Sequence, residues 1–407
     1  MKKRPVIMVV FLILIFISGF SSGFSASSAT ADRNDFTAAV KGNNAFAFDL
    51  YGTVAAEKGN LFFSPFSISS ALAMTYAGAR GETAKQMEKT LRFDLAAAGL
   101  HPGFAGLMKK FNVSGKSYQL SVANALWGQK GTGFYPAFME ITGKYYDAGF
   151  KRVDYIHNTE GARRTINAWV EAKTNHKIKE LIKPHILNAL TRLVLTNAIY
   201  FKGRWERQFK PAQTEEAPFY ITAEKKANTP LMHQLGKFKY AETDQLQILE
   251  LPYTGDEIAM DILLPKPQSG LAKLESALQP ADFDSCLDKL AAKQVDVFLP
   301  RFKMEQGLTL NSHLRALGMK DAFDENKANF SGMSDTSLYI THVIHKAFVE
   351  VNEEGTEAAA ATAVVMGTKS VMIDKPVTFR ADHPFIFLIR DIQSGSILFM
   401  GRLVDPK

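Results

Sequence analysis

The sequence predicts an α+β fold. Helix-type apolar spacing dominates the first half of the chain, β-branched and alternating runs dominate the second, and no linker rich in Pro, Gly or Ser divides them. The chain opens with Lys2, Lys3 and Arg4, then an apolar run from Val6 to Ile17, then small residues ending in Ala29-Thr30-Ala31. That order predicts a secretory signal over residues 1–31, cut after Ala31 or alternatively after Ala26. The apolar run is shorter than the roughly 20 residues that span a bilayer. A single domain, residues 32–407, is therefore expected in the extracellular space or periplasm, with no membrane contact after cleavage. Within it, Ser64-Pro65 should cap and start a helix through "FSISSALAMTYAGA". A second helix should carry Ile166, Trp169 and Val170 on one face. Strands follow at Arg192 to Phe201, on both sides of Thr254-Gly255-Asp256 as a hairpin, at Val295 to Glu305 and at His342 to Val351. The last hairpin turns at Ser394-Gly395, and its unbroken apolar runs predict strands buried on both faces.

Composition narrows the function classes. With 30 Phe in 407 residues the chain can fill a large core. Removing Lys2, Lys3 and Arg4 leaves 45 basic against 41 acidic residues, a balance of +4 too mild to argue for nucleic acid. Cys286 is the sole cysteine, so packing and not an internal disulfide must hold the fold. Basic start and lack of disulfides together fit a bacterial exported protein. No metal motif occurs. His342 and His345 are three apart on an expected strand, which places them on opposite faces, one buried and hydrogen-bonded, the other exposed. Gly19-Phe20-Ser21-Ser22-Gly23 fits a nucleophile elbow by letter, but lies in the leader without the strand-turn-helix it needs. No enzyme is expected.

The stretch "VEVNEEGTEAAAATAVVMGTKS", Val349 to Ser370, is unusual. Ala358, Ala359, Ala360 and Ala361 favour a helix, yet Gly355, Thr356, Thr362, Val364 and Val365 favour turns and strands. This stretch, with "NLFFSPFSISSALAMTYAGARGETAKQM", "VANALWGQ", "LTNAIYFKGRWERQF", "LPRFKME" and "FRADHPFIFLIR", resembles the serpin family of protease inhibitors. The motifs occur in family order and run from about residue 36 to Lys407.

The resemblance implies about nine helices around three β-sheets, with an exposed reactive-centre loop at about 355–375. It implies a monomeric suicide-substrate inhibitor that forms a covalent complex with its target and has no catalytic residues or cofactor. Counting from Gly355 by the family's spacing puts the reactive bond between Lys369 and Ser370, or after Thr368 if the spacing is one shorter. Lysine at that bond implies a trypsin-like serine protease as partner, and lysine-directed cysteine proteases are a further class of target. The hinge would be Gly355, Thr356, Glu357, Ala358 to Ala361 and Thr362. On insertion, strand alternation would turn Thr356, Ala358, Ala360 and Thr362 to the buried face and Glu357 outward. Trp205, Arg301 and Glu353 match the breach, where the last two should pair. Ser64, Ser67, Asn197 and His345 match the shutter beneath the central strands. Lys109 and Lys110 stand nearly alone, so no polyanion-binding helix is evident. A non-inhibitory serpin acting as carrier, chaperone or storage protein is the alternative, though such relatives carry bulky, charged or proline residues in the hinge.

Overall fold

The computed structural model describes residues 23–95, 97–112, 116–146, 150–356 and 375–407. Nine α-helices lie among them, most in the first half, and fifteen strands, most in the second. The helix Pro65–Tyr76 starts where the sequence predicts: Ser64 is extended, Pro65 is its first residue, and the Ser67 N–H donates to Ser64 Oγ at 3.1 Å. It is buried almost throughout, as its apolar composition requires. The helix Thr159–Lys173 buries Ile166 and Val170, and Trp169 packs edge-on against Trp127.

Six strands form one sheet, in the order Phe302–Thr309, His342–Val351, Gly355–Thr356, Leu193–Arg204, Tyr118–Gln129 and Phe150–Val153. The helix Thr159–Lys173 and residues 174–191 lie against its front, over a second core of Val194, Ala198, Ile344 and Phe348. The remaining nine strands form one hydrogen-bonded network rather than two separate sheets. The 17-residue strand Lys226–Glu242 joins them, pairing near its start with Glu215–Tyr220 and at its end with Leu246–Pro252. The third expected sheet is thus continuous with the second. The terminal hairpin Phe385–Asp391 and Ile397–Leu403 is buried at every position. Phe62, on the strand Leu61–Phe63 that pairs with Ile397–Leu403, stacks on Phe399 and Phe387 with ring centres 5.1 and 5.7 Å away, which packs that edge of the sheet.

The described residues begin inside the segment read as a leader. The helix Gly23–Val54 runs without a break through Ala26 and Ala29 to Ala31. The residues read as cleavage sites therefore have helical backbone, with their main-chain groups engaged within the helix. Among the described residues no helix is long and apolar enough to cross a membrane.

Candidate functional site

In the six-stranded sheet, Leu193–Arg204 and His342–Val351 run parallel side by side, paired from His342 with Val194 to Phe348 with Tyr200. Beyond that pair the seam opens. Asn352 reverses the chain: its side-chain oxygen accepts the N–H groups of Glu354 and Gly355 at 3.0 and 3.3 Å. The returning residues Gly355 and Thr356 then enter the seam, antiparallel to both neighbours. Thr356 lies opposite Val351 on one side and Gly203 on the other, and Gly355 lies opposite Arg204. Gly355 has φ +152°, and a Cβ there would sit 2.1 Å from the Gly203 carbonyl oxygen. Only glycine fits that approach.

Side chains at the mouth of the seam hold this arrangement. Arg301 donates from Nε to both carboxylate oxygens of Glu353, at 2.7 and 2.8 Å, and from Nη2 to the first. Thr214 Oγ1 adds a donor at 2.6 Å. Glu353 is 5% exposed. Its burial alone would raise the carboxyl pKa, but these donors outweigh it and hold the group below its ordinary value. The pair Arg301–Glu353 expected at the breach is therefore formed, bidentate and one-sided in burial. Trp205 donates from Nε1 to the Asn352 carbonyl at 2.9 Å and stacks on Tyr253 with ring centres 4.6 Å apart. Tyr253 in turn shares a 2.7 Å hydrogen bond with the fully buried Thr356 hydroxyl, and burial pushes the phenol pKa up.

Lower in the same seam Ser64, Ser67, Asn197 and His345, the residues expected as a shutter, come together. His345 lies opposite Asn197 in the parallel pair, and its Nδ1 contacts Asn197 Oδ1. Its Nε2 accepts the Ser64 N–H at 3.1 Å, which places the ring proton on Nδ1. Asn197 Nδ2 donates to Ser67 Oγ at 2.6 Å, and Ser67 Oγ donates to Asn124 Oδ1 at 3.0 Å. Ser64 Oγ reaches the Leu398 carbonyl at 2.5 Å. One small helix end therefore ties two strands of the seam to the terminal hairpin. Complete burial lowers the His345 pKa to about 3. His342, expected to be exposed, is half-buried because residues 174–191 cover it and the Ile186 backbone faces its ring.

Three residues of this site escaped the sequence reading. Asn124 sits inside the quoted motif "VANALWGQ", directly across the ladder from Asn197. Tyr253 precedes the expected hairpin turn, and Asn352 lies in the Asn-Glu-Glu-Gly run that signals a turn. Glu357, Ala358 to Ala361, Thr362, Lys369 and Ser370 lie outside the described residues. No cluster of metal ligands occurs among the described residues.

Fold and site together define an α+β protein in which Gly355–Thr356 form a short strand in the seam of its main sheet. The serpin (serine protease inhibitor) family profile matches residues 41–406, and the chain belongs to that family. It is 44% identical to the leukocyte elastase inhibitor of Homo sapiens, over 89% of this chain and 98% of that protein. It is 45% identical to serpin B8 of Homo sapiens over the same shares. Among solved structures, a serpin described as highly specific, Serpin48 of the insect Tenebrio molitor, superposes with a TM-score of 0.82 at 33% identity, covering 91% of this chain and 98% of that one. Inhibition of serine proteases, with a protease as partner and no catalysis by the inhibitor, is the general activity these relatives support.

The same relatives overturn the expected secreted or periplasmic location. Proteins of the leukocyte elastase inhibitor and serpin B type are intracellular serpins without signal peptides. They match over 98% of their own length and 89% of this chain.

Proposed function

We propose that this protein is a single-use suicide-substrate inhibitor of trypsin-like serine proteases. A single domain, residues 32–407, would present the loop at about 355–375, with Lys369–Ser370 as the bond attacked. The observation that carries the reading is the position of Gly355 and Thr356, which start a strand antiparallel to both neighbours inside a parallel seam. Extending that strand would replace one parallel pairing, slightly the weaker kind per residue, with two antiparallel ones. The small residues from Ala358 to Thr362 suit passage into so narrow a gap.

The chemistry is the target's own. Its serine attacks the Lys369 carbonyl, the Ser370 amine leaves with the proton delivered by the enzyme's histidine, and Lys369 remains esterified to the enzyme. Insertion would then carry the attached protease away before water completes hydrolysis, which needs an ordered oxyanion hole. Ordering ten backbone residues costs roughly 10–20 kcal/mol. Each new ladder hydrogen bond returns only about 0.5–1.5 kcal/mol net. The balance is close enough that hinge composition decides it. The lysine side chain fits a deep pocket closed by a carboxylate, the basis of trypsin-like selection.

Incubation with trypsin and, separately, elastase, followed by denaturing electrophoresis and mass analysis, tests this. A covalent trypsin complex and a released fragment beginning at Ser370 are expected. Cleavage without a complex would make the protein a substrate and favour a non-inhibitory role. A complex with elastase alone would refute the Lys369 assignment while leaving inhibition intact.

A further inference from the structure

Between the helix Thr159–Lys173 and the strand Leu193–Arg204 the chain crosses the front of the six-stranded sheet, from 174 to 191, without regular structure. Six non-glycine residues among those described have a left-handed backbone, and four of them fall here. They are Asn175 at φ +51°, His176 at +60°, Glu180 at +48° and His185 at +67°. Asparagine and histidine tolerate that region better than most residues, whereas glutamate is simply strained in it. All four side chains are exposed, so burial of the side chain explains none of them. The reason lies one to three residues further along. Ile178, Leu181, Ile182 and Leu187 are buried, in one cluster with Val194 and Ala198 on one side of the seam and Ile344 and Phe348 on the other. The left-handed residues turn the chain so that these four apolar side chains reach the sheet.

The segment spans the seam but is fastened unevenly. On the side of the helix, the Ile182 N–H donates to Asn167 Oδ1 at 2.8 Å. The Ile182 carbonyl accepts Asn167 Nδ2 and Arg163 Nη1 at 2.9 and 3.0 Å. On the far side, Lys346 of His342–Val351 donates from Nζ to the Lys179 carbonyl at 2.6 Å, and the His342 ring faces the Ile186 backbone. A strand entering between Leu193–Arg204 and His342–Val351 sets those two apart by about 4.8 Å more. The segment cannot stay seated on both sides through such a shift. Backbone strain gathered in one segment, over a joint that has to part, is the mark of a switch region.

We propose that residues 174–191 form a strained strap over the seam, held shut by the Lys346 clasp and four buried apolar side chains and released as a unit while the helix Thr159–Lys173 stays folded. Its left-handed residues relax as it lifts, which favours lifting. The strap itself stands on this geometry. Its consequence for inhibition rests on the insertion reading above: a strap that lifts readily lets the new strand enter before the acyl-enzyme is hydrolysed.

Hydrogen exchange of the full chain, resolved by mass spectrometry into the strap and the helix before it, tests the proposal. Glu180→Gly is compared with Glu180→Ala, and His185→Gly with His185→Ala, so that loss of the side chain cancels. Glycine is at ease in the left-handed region and alanine is not, so each glycine variant should exchange its strap amides about fivefold more slowly than its alanine counterpart. At a right-handed position the same comparison has the opposite sign, because glycine gains more freedom on opening. Lys346→Met, which removes the clasp, should speed strap exchange about tenfold and leave the helix unchanged. Equal or faster exchange in the glycine variants, or a helix that opens together with the strap, would overturn the proposal. With trypsin, the double glycine variant should show a stoichiometry of inhibition about twofold or more above that of the double alanine variant. Slower exchange at an unchanged stoichiometry would refute the gating of insertion but not the strap. Failure of the parent to inhibit trypsin would refute the insertion reading, and exchange would still judge the strap.

Discussion

His345 is a neutral imidazole by construction. Its Nε2 accepts the Ser64 N–H, its Nδ1 contacts Asn197 Oδ1, and no water reaches the ring. A second ring proton would replace the acceptor with a donor facing a donor, in a setting where a charge is costly. Burial accordingly lowers its pKa to about 3, from an ordinary 6.5. In the unfolded chain the ring takes up a proton below about pH 6.5, whereas the folded protein resists doing so until about pH 3. The unfolded state thus binds more protons across that window, and stability falls as pH drops through it, by up to about 1.4 kcal/mol per unit. Above pH 6.5 the group contributes no slope. His345→Asn removes this dependence. Its neutral-pH stability should drop by about 1–3 kcal/mol through the lost hydrogen bonds. Between pH 4 and 6 its guanidinium unfolding free energy should change less steeply than that of the parent, by about one proton's worth. Parallel pH curves for the two proteins would mean that the native histidine titrates normally and that the seam is wetter than its burial implies.

At the level of strands, the seam sets what the hinge can tolerate. Thr356 enters fully buried, its hydroxyl on Tyr253 and its backbone between Val351 and Gly203. An arginine at that position would bring an unpaired charge into a site closed by Tyr253 and Trp205, at a cost of several kcal/mol. Insertion would stall before the next residue could follow. Thr356→Arg should therefore be cut by trypsin at the parent rate while trapping little of it, with the stoichiometry of inhibition rising about tenfold or more. Undiminished trapping would show that Thr356 does not lead the insertion. Much of this element was legible in the sequence, since capping, turn and alternation rules act over a few residues. Ser64 before Pro65, the turn at Ser394-Gly395 and the strand ending at Val351 all follow from such rules. Asn124 and Tyr253 were not legible, because their roles come from partners 73 and 103 residues away across the sheet. The basic and apolar opening of the chain misled for the opposite reason. Its local pattern matches an export signal, while the intracellular type of the relatives is not a local fact. The join between the expected second and third sheets escaped for want of any break in Lys226–Glu242.

At the scale of the whole molecule, the proposed inhibition depends on free energy stored in the seam between Leu193–Arg204 and His342–Val351. In this form six strands hold together through a parallel pair, the Ser64 to His345 network beneath it, and the Arg301–Glu353 contact at its mouth. The interior on both sides is densely apolar, so a strand completed from Gly355 onward would gain partners on two edges and a buried face at once. The folded form described here would then be held by the barrier to opening rather than by being the lowest state, a kinetic form of stability. On the proposed insertion reading, limited proteolysis next to Lys369 would free the chain beyond Thr356 to extend the strand, and nothing else in the covalent structure would change. The clipped protein should consequently unfold at a higher temperature than the intact one, by about 10 °C or more. Differential scanning calorimetry of intact and clipped protein, at matched scan rates, reads this directly. Residual secondary structure by far-ultraviolet circular dichroism should show added strand signal in the clipped form. A clipped sample that melts with the intact one would mean that the seam stores no such energy, and the inhibitory reading would lose its driving force.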